Sequence, residues 1–133
     1  MTRREAREQA FVLLFEKSFN NEMSFEEIIE NAQMADEFEA DEFAVMLAAG
    51  VNERRDELND SIAANLKGWT ISRVSRVTLI LMQMALYQMK YCDDIPVSVA
   101  INESVEMAKK FATEDDASYL NGVLGGIDRA GAN

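Results

Sequence analysis

The stretch "VTLILMQMALYQM", residues 77–89, carries apolar side chains at nearly every position. Wound as a helix, it has no polar face. It must therefore be covered on most sides by other elements. It is shorter than the roughly 20 residues a bilayer span needs, and it contains Gln83 and Gln88. The chain around it has one proline, six glycines and few alternating β-branched runs. An all-α bundle with residues 73–90 as its central helix follows.

The covering helices announce themselves by their caps. Thr2 with Glu5, and Ser24 with Glu27, each form the T/S-x-x-E pattern in which hydroxyl and carboxylate satisfy opposite ends of the first turn. The first helix is expected to end at Phe19, stopped by Asn20-Asn21. "DEFEADE" at 36–42 reads as a loop before a long third helix with Phe43, Leu47, Val51, Leu58, Ile62 and Leu66 on its apolar face. Gly68 stands where a C-terminal cap belongs. Pro96 opens a fifth helix over 97–112, and a last one starts near Asp116. Asn121-Gly122 suits a hairpin turn, but it sits within a helical apolar pattern and is read as helix.

A chain of 133 residues is read as one domain. It holds a single cysteine, Cys92, and no histidine. The commonest general base and the commonest metal ligand are thus missing, and Cys92 has nothing to activate it. No phosphate-cradling glycine loop, nucleophile elbow or calcium loop is present. The carboxylates at 36–42 and 114–116 read as solvated faces and helix starts. No enzyme, metal site or cofactor is expected. With no signal peptide pattern, a cytoplasmic protein is expected.

The net charge is −11, unevenly placed. Residues 1–19 carry four basic and three acidic side chains; residues 20–66 carry two and thirteen; residues 67–133 carry seven and eight. A polyanion partner would therefore have to meet the first helix or the C-terminal half. Arg3, Arg4 and Arg7 gather at the positive end of the first helix dipole, where a cation costs about 0.3–1 kcal/mol. Their planar donor forks suit phosphate. The alternative is an ordinary solvated terminus with Arg4 paired to Glu8 one turn on. Met82, Met84 and Met89 fit either an adaptable groove or core packing, and the helical pattern favours the core. Trp69 fits either a stacking platform or a cap on the junction between helical halves.

"IPVSVAINESVEMAKKF" followed by "ASYLNGVLGGI" resembles the NusB family of bacterial transcription antitermination factors. "ISRVSRVTLILMQMALYQM" is similar to that family's central helix, and "RREAREQAFVLLFE" to its opening helix. The resemblance spans nearly the whole chain in order. It implies an all-α fold of two helical subdomains, 1–68 and 69–133, and no enzymatic activity. It also implies binding of boxA-like single-stranded RNA from nascent ribosomal RNA leaders, together with ribosomal protein NusE, in an antitermination complex on RNA polymerase.

Carried over residue by residue, the resemblance places Arg3, Arg4, Arg7, Asp115 and Tyr119 at the RNA and the NusE contact around Thr78 and Met82. The central helix departs from the family's usual Asp-Arg-Ala-Ile-Leu-Arg, reading Thr78-Leu79-Ile80-Leu81-Met82-Gln83. A homodimer remains an option, as does a module that binds only protein. No membrane partner is expected.

Overall fold

The computed structural model describes residues 1–35 and 39–131, folded as seven α-helices and one 3-10 turn without a strand. Asp36, Glu37 and Phe38, within the expected loop, lie outside the described residues. The chain divides into two compact units, Met1–Glu53 and Arg54–Asn133.

The first unit holds α1 (Arg3–Phe19), α2 (Phe25–Met34) and α3 (Glu42–Glu53). Both capping boxes form. The Thr2 hydroxyl accepts from the Glu5 N–H at 3.1 Å, and the Glu5 carboxylate accepts from the Thr2 N–H at 2.9 Å. Ser24 and Glu27 repeat the exchange at the start of α2. Gln9 on α1 holds the chain entering α3 from both ends of its amide. It donates to the Glu39 carbonyl and accepts from the Asp41 N–H, each at 2.8 Å. α1 and α3 then pack along each other. Small Ala10, Ala44 and Ala48 are fully buried beside Leu13, Leu47 and Val51.

The second unit holds α4 (Arg55–Ala63), the 3-10 turn Ile71–Arg73, α5 (Arg76–Tyr91), α6 (Val97–Phe111) and α7 (Glu114–Arg129). α5 is contacted by α4, α6 and α7, and residues 80–86 are buried without a break. Its polar side chains are answered internally. Gln83 donates to the Asn59 side chain on α4 at 2.8 Å, and Gln88 donates to the Met84 carbonyl at 3.0 Å. Ser104 on α6 donates to the Leu81 carbonyl at 3.0 Å. Asn121-Gly122 lies inside α7, as its helical spacing predicted.

Two expectations need correction. The long third helix is two helices, because Arg54 leaves the helical backbone region at φ −109 and ψ 20. The division of the chain then falls after Glu53 rather than near Gly68, since α4 packs on α5 and α7 and belongs with them. The apolar spacing runs through Arg54 unbroken and carries no local stop signal. Among the described residues no helix is long and apolar enough to cross a membrane.

Candidate nucleic-acid interface

In the first unit, the capping box sets the start of α1 and so the direction of its arginines. The three do not form one exposed cluster. Arg3 and Arg4 are exposed, whereas Arg7 is only 5% exposed. The reason is Phe43 on α3. Its ring lies 4.1 Å from the Arg3 guanidinium carbon and 5.6 Å from that of Arg7. Arg7 follows Ala6 and precedes Ala10, Phe11 and Leu14 on the buried stripe of α1, so its stem packs with the core. Arg7 as an open phosphate grip is thereby corrected. Glu5 sits among these cations with its carboxyl held below its usual range, chiefly by the Thr2 backbone N–H and then by the Thr2 side chain.

In the second unit, Tyr119 on α7 is half-buried, and its ring centre stands 6.3 Å from that of Trp69 at a tilt of 58°. Trp69 is 52% exposed. Tyr119 separates two grooves. One, of about 440 Å³, runs between Trp69, Arg73, Thr78, Asp115 and Tyr119. The other, of about 430 Å³, runs between Lys67, Tyr119, Gly122, Gly126 and Arg129. Gly68 makes this division. At φ +74 it turns the chain so that Lys67 lines one groove and Trp69 the other. The left-handed backbone there suits glycine.

Asp115 is exposed in the first turn of α7, a favourable place for an acid at the positive helix end. Thr78 is 1% exposed and Met82 0%. Thr78 is engaged in the start of α5: its hydroxyl accepts from Ser75 at 2.9 Å and its N–H donates to the Ser75 oxygen at 3.2 Å. Met82 fills the core. Met82 presents no surface to a protein partner, so its expected role as a contact residue is corrected, and Thr78 reaches the surface only as part of the groove toward Trp69. Both lie on the inner side of a helix that other helices cover.

Sequence reasoning missed Lys67, Arg73 and Arg129. Their side chains have no ion-pair partner among the described residues, whereas Lys90 and Lys109 pair with Glu57 and Glu106. They come from a loop, a 3-10 turn and the last turn of α7, far apart in the chain. No local motif links them. Phe43 was read only as a core position, and nothing in its neighbours signals its arginines.

The NusB family model matches residues 4–129. Transcription antitermination protein NusB of Listeria monocytogenes serotype 4a is 41% identical over 127 residues, covering 96% of each chain. The protein of the same name from Clostridium botulinum is 36% identical, covering 94% of this chain and 98% of its own. Among solved structures, T. maritima NusB superimposes with a TM-score of 0.84 at 28% identity, over 97% of this chain and 92% of that one. A complex of antitermination factors NusB and NusE with double-stranded RNA gives 0.82 at 20% identity, over 98% and 99%, which speaks to the fold.

Proposed function

The chain belongs to the NusB family, and on that premise we propose that it is a non-enzymatic, cytoplasmic transcription antitermination factor. It binds boxA-like single-stranded RNA of nascent ribosomal transcripts together with NusE. The observation that carries the RNA reading is the Trp69–Tyr119 pair with Lys67, Arg73 and Arg129 around it, none of them in an ion pair among the described residues, in a chain of net charge −11. Unstacked bases bind aromatic faces in this way, each worth about 1–3 kcal/mol. Phosphate adds a salt-dependent term through each arginine or lysine it meets.

Arg3 and Arg4 supply phosphate contacts in the first unit, and Tyr119 supplies a stacking contact in the second. Each is weak alone. Carried on one chain, and joined by NusE, each raises the effective concentration of the others. The test is titration of a labelled boxA-like RNA with the protein alone and with NusE added. Binding that tightens with NusE and falls with salt supports the reading. A complex with NusE that leaves RNA affinity where NusE alone puts it would establish the protein-only module instead. The burial of Arg7 under Phe43 is the observation that favours that second reading.

A further inference from the structure

The two grooves beside Tyr119 differ in charge. The groove toward Trp69 has Arg73 but also Asp115 and Asp116 in its walls. The groove toward the C-terminal end of α7 has Lys67 and Arg129 and no carboxylate. Its remaining polar groups are neutral, among them Asn65 and Ser118.

The glycines of α7 shape this second groove. A Cβ at Gly122 would meet nothing within 4 Å. One at Gly125 would lie 3.2 Å from an Arg129 guanidinium nitrogen, and one at Gly126 3.9 Å from the other. Arg129 is thus folded back along its own helix, over bare backbone, toward Tyr119. A side chain at 125 would push it back by a few tenths of an ångström. The Tyr119 hydroxyl is buried and has no hydrogen-bond partner among the described residues. At about 430 Å³ the groove falls within the range of roughly 300–1,000 Å³ typical of clefts that hold small ligands.

We propose that this groove is a nucleotide subsite for single-stranded RNA: Lys67 and Arg129 hold a phosphate while Tyr119 holds the adjoining base. Asp115 and Asp116 turn the backbone away from the opposite groove, so phosphate follows the glycine face of α7. The proposal rests on the RNA reading above and adds the direction of the strand from Tyr119. Among the described residues, only this side of Tyr119 offers cations without competing carboxylates.

The test uses the full chain with NusE and a labelled boxA-like single-stranded RNA. Lys67→Gln combined with Arg129→Gln removes both cations from exposed positions. Affinity is expected to fall about tenfold or more, and the slope of log K against log salt to shrink by about 1.4, from roughly 0.7 per phosphate contact. Gly122→Leu fills the groove and leaves both charges in place. It is expected to weaken binding with the salt slope nearly kept, while the thermal midpoint does not fall, because glycine is a poor residue inside a helix.

Unchanged affinity and slope in the double variant, with Arg3→Gln/Arg4→Gln still weakening binding, would overturn the subsite and leave the RNA reading standing. A double variant that keeps RNA but loses NusE would assign the groove to a protein carboxylate and overturn it as well. Wild-type protein that binds no RNA, with or without NusE, would overturn both.

Discussion

The guanidinium of Arg3 lies over the ring of Phe43, 4.1 Å from its centre, at the start of α1. This explains how cations are tolerated at the positive end of a helix dipole. The ring face offers negative quadrupole where the helix end offers positive charge. The two effects have similar size, about 0.5–1 kcal/mol for an exposed cation–π contact against about 0.3–1 kcal/mol for the dipole. In a double-mutant cycle of Arg3→Ala and Phe43→Leu, the coupling measured from urea midpoints is expected to be about 0.5–1 kcal/mol. A coupling near zero would mean the ring does not answer the charge.

Arg7 and Arg4 are expected to respond oppositely to the same substitution. Arg7→Glu sets a carboxylate against the Phe43 ring in a buried position and should cost roughly 1–3 kcal/mol of stability. Arg4→Glu, at an exposed position, should stay within about 0.5 kcal/mol and lower RNA affinity instead. Chemical denaturation and RNA titration on the same two samples check both halves.

Tyr119→Phe removes a buried hydroxyl that has no partner among the described residues, a group that costs about 1–3 kcal/mol to leave unsatisfied. Stability should therefore rise, and RNA affinity should hold because stacking uses the ring face. Tyr119→Ala should weaken RNA binding by about 1–3 kcal/mol. If the alanine variant loses stability alone and binds RNA normally when folded, Tyr119 is a packing residue and not part of the interface.

The α4–α5 junction predicts a pH response. Tyr91 donates to the Glu57 carboxylate at 2.5 Å, with Arg54 over the Tyr91 ring at 4.3 Å. The bond from Tyr91, first, and the charge of Lys90 hold the Glu57 carboxyl below its ordinary 4.5. The same bond, with some burial, pushes the Tyr91 phenol above its ordinary 10.0. A depressed carboxyl adds stability above its unfolded value and loses it as pH falls through the folded one. A raised phenol adds stability below its unfolded value and loses it as pH rises through the folded one. Tyr91→Phe should therefore flatten both the acid and the alkaline limb of the thermal midpoint profile, leaving the neutral plateau the less favoured. Parallel profiles for wild type and variant would remove the pair from the pH response.

Gly68→Ala tests the turn that separates the grooves. A Cβ there meets nothing within 4 Å, so the cost is that of the left-handed backbone alone, about 1–2 kcal/mol. A midpoint equal to wild type would show that the turn relaxes.

Some of this molecule was legible one helical turn at a time. Thr2 and Glu5, Ser24 and Glu27, and Pro96 before α6 declare helix starts because cap partners are at most three residues apart. The apolar run in α5 declared its own burial, since a helix without a polar face has only one stable place. Tyr119 was reached through the family's motif. What depended on which face another element covers was not legible. Arg7 became a core-facing side chain on the buried stripe of α1, with the ring of Phe43, thirty-six positions on, 5.6 Å from its guanidinium carbon. Thr78 and Met82 went inward because α5 is enclosed, and the break at Arg54 answers to packing against α5 and α7, with no local stop residue. Lys67 and Arg129 meet beside Tyr119 only after α7 folds back against the end of α4. Charge recruited from such distances leaves no spacing in the chain, because the contacts that assemble it are made by the fold.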